Sequence, residues 1–176
     1  LCTRKCPVSV LPQNSAHTDI LTGYAKDGAL LPQSSSGAIF PVLAAEIIRR
    51  GGLVFGAAFD GLFQVVHTAA ESVEELSTLC SSKYVQGRIP SDCYAQVKAA
   101  LAAGRWVYFS GMPCQVAALK SYLSRDYDTL ITQDTACHSV PSPLVWEGYK
   151  EELEKQHGGK LTSFSFRNKA NGWEAY

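Results

Sequence analysis

Arg105-Trp106-Val107-Tyr108-Phe109-Ser110 runs into Gly111-Met112-Pro113-Cys114-Gln115, and Thr129-Leu130-Ile131-Thr132-Gln133-Asp134-Thr135 runs into Ala136-Cys137-His138. Each is a β-prone run ending in a turn that carries a cysteine. Each turn is followed by a helical pattern opened by a proline, Pro113 to Ser124 and Ser142 to His157. Strand, helix, strand, helix predicts parallel βαβ units. Both cysteines then leave the same edge of one sheet, beyond the carboxyl ends of its strands. Ligands of open α/β sheets gather there, because helix N-termini and turn amides converge. If the two strands are neighbours, their ends lie about 5 Å apart, close enough for one compact centre to take both sulfurs.

Outward from this stretch, the pattern predicts a helix over residues 38–50, with Ile39, Val42, Leu43 and Ile47 at helical spacing and Gly51-Gly52 as its stop. Leu53 to Phe59 and Phe63 to Thr68, joined around Asp60-Gly61, read as a hairpin. Glu71 to Leu79 reads as a helix. Ser91 is placed to cap another that carries Tyr94, Val97 and Leu101 on one face and stops at Gly104. Leu161 to Phe166 alternates as a last strand. Residues 1–36 lack periodicity and carry turn signals at Pro7, Pro12, Gly23, Gly28 and Pro32, the signature of loop with short local structure. The expected fold class is α/β, a mixed sheet with parallel βαβ units flanked by helices.

Composition narrows the function. The chain has 176 residues, 46% of them hydrophobic, enough for one domain with a sizeable core. Its 16 basic and 16 acidic residues are interspersed, and no basic run is interleaved with aromatics. Nucleic acid and anionic membrane surfaces are therefore not the expected partners. No apolar run approaches the roughly 20 residues of a membrane span, and Leu1-Cys2-Thr3-Arg4-Lys5-Cys6 does not read as a signal peptide, so a cytoplasmic protein is expected. With an ample core, its six cysteines are expected as thiols, and Cys80 and Cys93 as small buried apolar residues.

Pro113 suits the first helical position, which puts Cys114 in the first turn beside the positive end of the helix dipole. That favours a thiolate, which serves either as a nucleophile or as a metal ligand, and spacing does not choose between them. Two core cysteines at strand ends are the alternative. His138 neighbours Cys137, but adjacent residues on extended chain point in opposite directions. His17, His67 and His157 lack ligand spacing and read as ordinary surface or strand residues. At the amino terminus, Cys2-x3-Cys6-Pro7 matches the second half of the bacterial ferredoxin run, whose final cysteine serves a different cluster from the one before it. The chain is accordingly expected to be part of a longer protein.

These residues resemble the coenzyme F420 hydrogenase/dehydrogenase beta subunit family of flavin and iron-sulfur oxidoreductases. The likeness is carried, in order, by Ser34-Ser35-Ser36-Gly37 before a helix, Ser82-Lys83-Tyr84-Val85-Gln86, Gly111-Met112-Pro113-Cys114-Gln115, Cys137-His138-Ser139-Val140-Pro141-Ser142-Pro143, and Phe164 to Lys169 with Gly172-Trp173. The resemblance implies residues 1–32 as the end of a ferredoxin-like segment and linker, and residues 33–176 as the amino-terminal part of an FAD/4Fe-4S domain about twice as long. It implies hydride passing between the deazaflavin coenzyme, or another donor, and FAD, with single electrons moving through 4Fe-4S clusters. Ser35, Ser36 and Gly37 would approach the flavin nucleotide phosphates, near a helix that Pro41 keeps from starting before about Ala38. Lys83 would stabilise negative charge on reduced flavin, and Tyr84, Gly111 and Pro113 would belong to the cofactor site. Cys114 and Cys137 would supply part of a cluster, and Cys2 and Cys6 a ferredoxin-like arm. Met112 stands where many members have threonine, and Ser139 where many have glycine. A small-molecule redox coenzyme and an electron-transfer protein are the implied partners. The alternatives are a non-catalytic iron-sulfur electron-transfer subunit, which needs no flavin, and a cysteine-nucleophile transferase.

Overall fold

The computed structural model describes residues 19–169 and 172. Cys2, Cys6 and most of the expected ferredoxin-like segment lie outside the described residues. Residues 19–38 form irregular chain with turns. Helix α1, Ile39–Arg49, follows, and Pro41 falls within its first turn, where a missing N–H breaks no helical bond. Gly51 and Gly52 end it, their amides donating to the Ile48 and Ile47 carbonyls. Gly52 is required by packing, since a Cβ there would lie 2.6 Å from the Trp106 carbonyl oxygen.

Strands β1, Leu53–Phe59, and β2, Val65–Ala70, pair antiparallel as the expected hairpin. The turn is longer than an Asp-Gly pair. Asp60 Oδ1 accepts from the amides of Leu62 and Gln64, and Phe63 takes a positive φ of 59°. Phe63 therefore belongs to the turn, and β2 starts two residues later than expected. Helix α2, Val73–Leu79, is capped by Ser72 and Glu75 in a reciprocal box. Helix α3, Cys93–Ala102, begins after Asp92 rather than Ser91. Strand β3 is Val107–Gly111, helix α4 Pro113–Leu123, strand β4 Leu130–Asp134 and helix α5 Pro143–His157.

The sheet order is β2-β1-β3-β4, with β1, β3 and β4 parallel. Helices α3 and α4 cover one face, burying Val97, Leu101, Leu119 and Leu123 on Phe55, Val107 and Phe109. Helices α1 and α2 cover the other, burying Ala44, Ile47, Leu76 and Leu79 on Val54, Ala58 and Tyr108. Burial on both faces explains the unbroken apolar runs of β1 and β3. Each fully buried Leu or Phe contributes roughly 1.5–3 kcal/mol.

The expected strand Leu161 to Phe166 is not formed. Its apolar side chains instead close a third cluster, in which Phe164 and Phe166 lie 4.9 and 5.4 Å from the Trp146 ring and Phe59 stacks on the same indole. Trp146 Nε1 donates to the Phe63 carbonyl at 2.7 Å, which ties α5 to the hairpin turn. After β4 the chain thus crosses from one edge of the sheet to the hairpin, passing over the carboxyl ends of the strands. Among the described residues no helix is long and apolar enough to cross a membrane.

Candidate functional site

The β3–β4 ladder runs through Gly111–Asp134, but the β1–β3 ladder stops at Phe55–Phe109. Beyond that pair the two strands part. A cavity of about 630 Å³ opens there, with Gly56 and Ala57 among its walls on the β1 side and Ser110 and Gly111 on the β3 side. That volume suits a substantial organic ligand. The crossing segment, Thr135 to Val140, lines the cavity, and the Gln86 amide holds its far end through the Pro141 carbonyl at 3.1 Å.

Stretches far apart in the chain converge on this space. Ser35, Ser36, Gly37, Lys83, Tyr84 and Gly111 all line it, whereas Pro113 and Cys114 do not. Pro113 does take the first position of α4, as its fixed φ favours. The Ser82 amide donates to Ser35 Oγ at 2.6 Å, which ties the serine loop to the segment carrying Lys83. Gly37 serves the protein's own backbone: a Cβ there would lie 2.6 Å from the Gly23 carbonyl oxygen, and its carbonyl accepts from the Ala25 amide. No side chain caps α1 at Ala38, which has a φ of 62°.

Lys83 Nζ donates to the carbonyls of Thr78, Cys80 and Ser81 at 3.0, 2.8 and 3.3 Å, closing the C-terminal end of α2. Burial pulls its ammonium down to about 8, with the nearby Cys80 pushing the other way. Tyr84 sets its ring edge against Phe166 at 5.6 Å. Arg167 adds a second cation to the lining. Beside Lys83 and Arg167, no carboxylate among the described residues lines the cavity, although the chain carries equal numbers of acidic and basic residues. Serines 34, 35, 36, 81, 82, 110 and 139 supply hydroxyls around it.

The cavity also collects the structure's unsatisfied features. Ser34 Oγ and His67 Nδ1, both buried without a hydrogen-bond partner, belong to lining residues. Of the five described non-glycine residues with positive φ, three line it too: Ala38, Ser81 and Ser139. Orphaned polar atoms and left-handed side chains each cost about 1–3 kcal/mol and concentrate where a ligand is held.

The two cysteines follow neighbouring strands, and both are exposed. Cys137 lines the cavity, its thiol 3.5 Å from Met112 Sδ. Cys114 faces another environment, close enough to Tyr94 to help raise that phenol to about 12, burial being the larger cause. Cys93 is buried in the core as expected, whereas Cys80, the residue that ends α2, is only half-buried. Among the described residues no group of three or more His, Cys, Asp or Glu side chains is placed to hold a metal ion. Two thiols fall short of the four a 4Fe-4S cluster takes, so the described residues alone do not fit one. The cavity instead offers Lys83 and Arg167, many hydroxyls, the uncapped start of α1 and apolar walls from Ile39, Phe40, Leu79 and Val85, a lining that could hold an organic anion.

Sequence reasoning missed His67 and Arg167 as cavity residues. Each acquires its place from the tertiary arrangement, His67 by reaching over a neighbouring strand and Arg167 from the residue just after a segment read as strand. The only signal was Arg167's position in the familiar Phe164 to Lys169 tail.

Fold and site define an α/β domain with a mixed four-stranded sheet between helices and a cationic, hydroxyl-rich cavity beyond the strand ends. This fold is shared with a chain of the F420-reducing NiFe hydrogenase complex from Methanosarcina barkeri, with a TM-score of 0.57 and 21% identity, over 76% of this chain. The match spans 48% of that chain, so this chain corresponds to about half of it. No protein-family model and no curated protein matches the sequence.

Proposed function

We propose that the chain is the flavin-binding part of an oxidoreductase of the coenzyme F420 hydrogenase/dehydrogenase beta subunit type, with the cavity as the FAD site. The observation that carries this reading is the charge of the lining: among the described residues it holds Lys83, Arg167 and seven serines but no carboxylate, in a chain of zero net charge. Such walls favour an anionic, phosphate-bearing ligand. The fold shared with a chain of an F420-reducing complex supports the same reading. FAD would supply the exchange of a hydride for single electrons.

The residues have distinct parts in this proposal. Ser35 and Ser36, beside the uncapped start of α1, would donate to the phosphates. Lys83 would act through its charge, since its protons are committed to three carbonyls at the end of α2. Arg167 would add a second positive group, and Tyr84 would cover the cavity from the Phe166 side. The segment from Thr135 to Val140 would exclude water over the strand ends. Cys114 and Cys137 would serve as cluster ligands together with cysteines beyond the described residues, and an electron-transfer protein would take the product electrons.

The test is anaerobic isolation of the full-length gene product, with flavin, iron and sulfide quantified on one sample. Bound flavin with iron and sulfide is expected. Protein that neither retains flavin nor takes up added FAD would overturn the reading.

A further inference from the structure

His67, on β2, is only 4% exposed, and its Nε2 lies 3.0 Å from the Ser110 carbonyl oxygen. A carbonyl only accepts, so Nε2 carries the proton and Nδ1 is a bare lone pair. Strands β2 and β3 are not neighbours, because β1 lies between them. The ring spans the gap because its cross-strand partner on β1 is Ala57, whose methyl leaves room, and it stacks on Phe109 at 5.3 Å and 19°.

The carbonyl it reaches is a particular one. Alternate residues of a central parallel strand address alternate neighbours. Trp106 O accepts from the Leu53 amide of β1, and Gly111 O from the Thr135 amide following β4, so Ser110 O addresses β1. The β1–β3 ladder has already stopped at Phe55–Phe109, and β1 supplies no amide there. The imidazole N–H stands in its place, at the level where the cavity opens.

We propose that His67 is a positioning residue, a wedge whose Nε2–H replaces the missing β1 amide and keeps the strand ends apart, so that Gly56, Ala57, Ser110 and Gly111 stand as cavity walls. The identity of the ligand rests on the flavin reading, while the strand geometry stands without it. Sequence alternation placed His67 on a strand but gave it no part in the site.

The experiment compares His67→Phe, which keeps the ring and its stacking but has no donor, with His67→Gln, which keeps a donor. On the full-length chain, amide hydrogen exchange is followed over residues 54–59 and 107–112, and FAD affinity is measured by fluorescence titration. His67→Phe is expected to exchange at least tenfold faster in residues 107–112 and to raise the Kd for FAD about tenfold, with His67→Gln within threefold of wild type in both. Wild-type exchange in His67→Phe would overturn the proposal. Wild-type protein that does not bind FAD would remove the flavin reading and leave exchange to decide the wedge. Should His67→Phe not fold, ¹⁵N NMR of wild-type His67 decides. A protonated, exchange-protected Nε2 beside a bare Nδ1 is expected, and the opposite tautomer would overturn the proposal.

Discussion

The Cys137 thiol lies 3.5 Å from the Met112 thioether sulfur, so the turn after β4 touches the residue that opens α4. Both sulfurs belong to lining residues, and Cys137 remains exposed. Cys114 is exposed as well, one helical position beyond Pro113. Cys93 is held in the core, where burial pushes its thiol up to about 11, and burial also raises Cys80. Since the thiolate is the reactive form, alkylation should separate these pairs. Treating native, metal-free protein with iodoacetamide near pH 7 should modify Cys114 and Cys137 before Cys80, with Cys93 reacting only after unfolding. Peptide mass spectrometry reads the order, and early labelling of Cys93 would contradict its burial in the core.

Lys83 leads to a pH dependence with opposite signs for binding and folding. Its charge is lost as pH rises through about 8. If that charge helps hold anionic FAD, affinity should fall roughly tenfold between pH 7 and 9, equivalent to about 1.4 kcal/mol. Lys83→Met should bind more weakly at pH 7 and show no such inflection. Folding moves the other way. Between about 8 and the ordinary lysine range near 10.4, the unfolded chain holds this proton more tightly, so the Lys83 contribution to stability rises with pH. Fluorescence titrations set beside chemical denaturation at each pH separate the two effects.

What could be read from the sequence was largely what is local. Pro113 and Ser142-Pro143 marked helix starts correctly because a cap and a fixed φ act within one turn. The βαβ order of β3, α4 and β4 followed from the alternation of strand and helix patterns, and the hairpin from two β-prone runs. Leu161 to Phe166 shows the limit of periodicity. Alternation says that one side is apolar but not what it meets, and here Phe164 and Phe166 meet Trp146 rather than a strand. Gly37 shows another limit. A glycine in a serine loop suits close approach of either a ligand or the chain itself, and Gly23 is what occupies its Cβ direction. His67 and Arg167 depended on which strands became neighbours and where they parted, and no local pattern encodes that.

His67 carries a second titration. Burial holds its imidazole below the usual value near 6.5, with the Ser110 contact opposing. As pH falls below about 6.5 the unfolded chain takes up this proton before the folded one does, so stability present at neutral pH declines until the folded value is reached. The melting temperature should therefore drop between pH 7 and 5, and the drop should be shallower in His67→Phe, which has no proton to gain. Equal slopes in the two proteins would mean that other groups govern the acid limb.

Ser139 is the place where the crossing segment is strained most legibly. Its φ of 88° suits glycine, the residue that many members of the resembled family carry there. A side chain in left-handed backbone costs about 1–2 kcal/mol, and the extra freedom of glycine in the unfolded chain returns roughly 0.5–1 kcal/mol of that. Ser139→Gly should thus stabilise the protein by about 0.5–1 kcal/mol, a rise of about 1–4 °C in Tm for a domain of this size. Ser139→Val, with a branched Cβ in the same backbone, should lower it. Calorimetry gives both shifts, and FAD titration of the same variants gives the reason the serine is tolerated. If Ser139→Gly gains stability but loses affinity, the hydroxyl contributes to the ligand and the strain is maintained by binding. If it gains both, the serine is an unselected departure, and the segment over the strand ends works through its backbone alone.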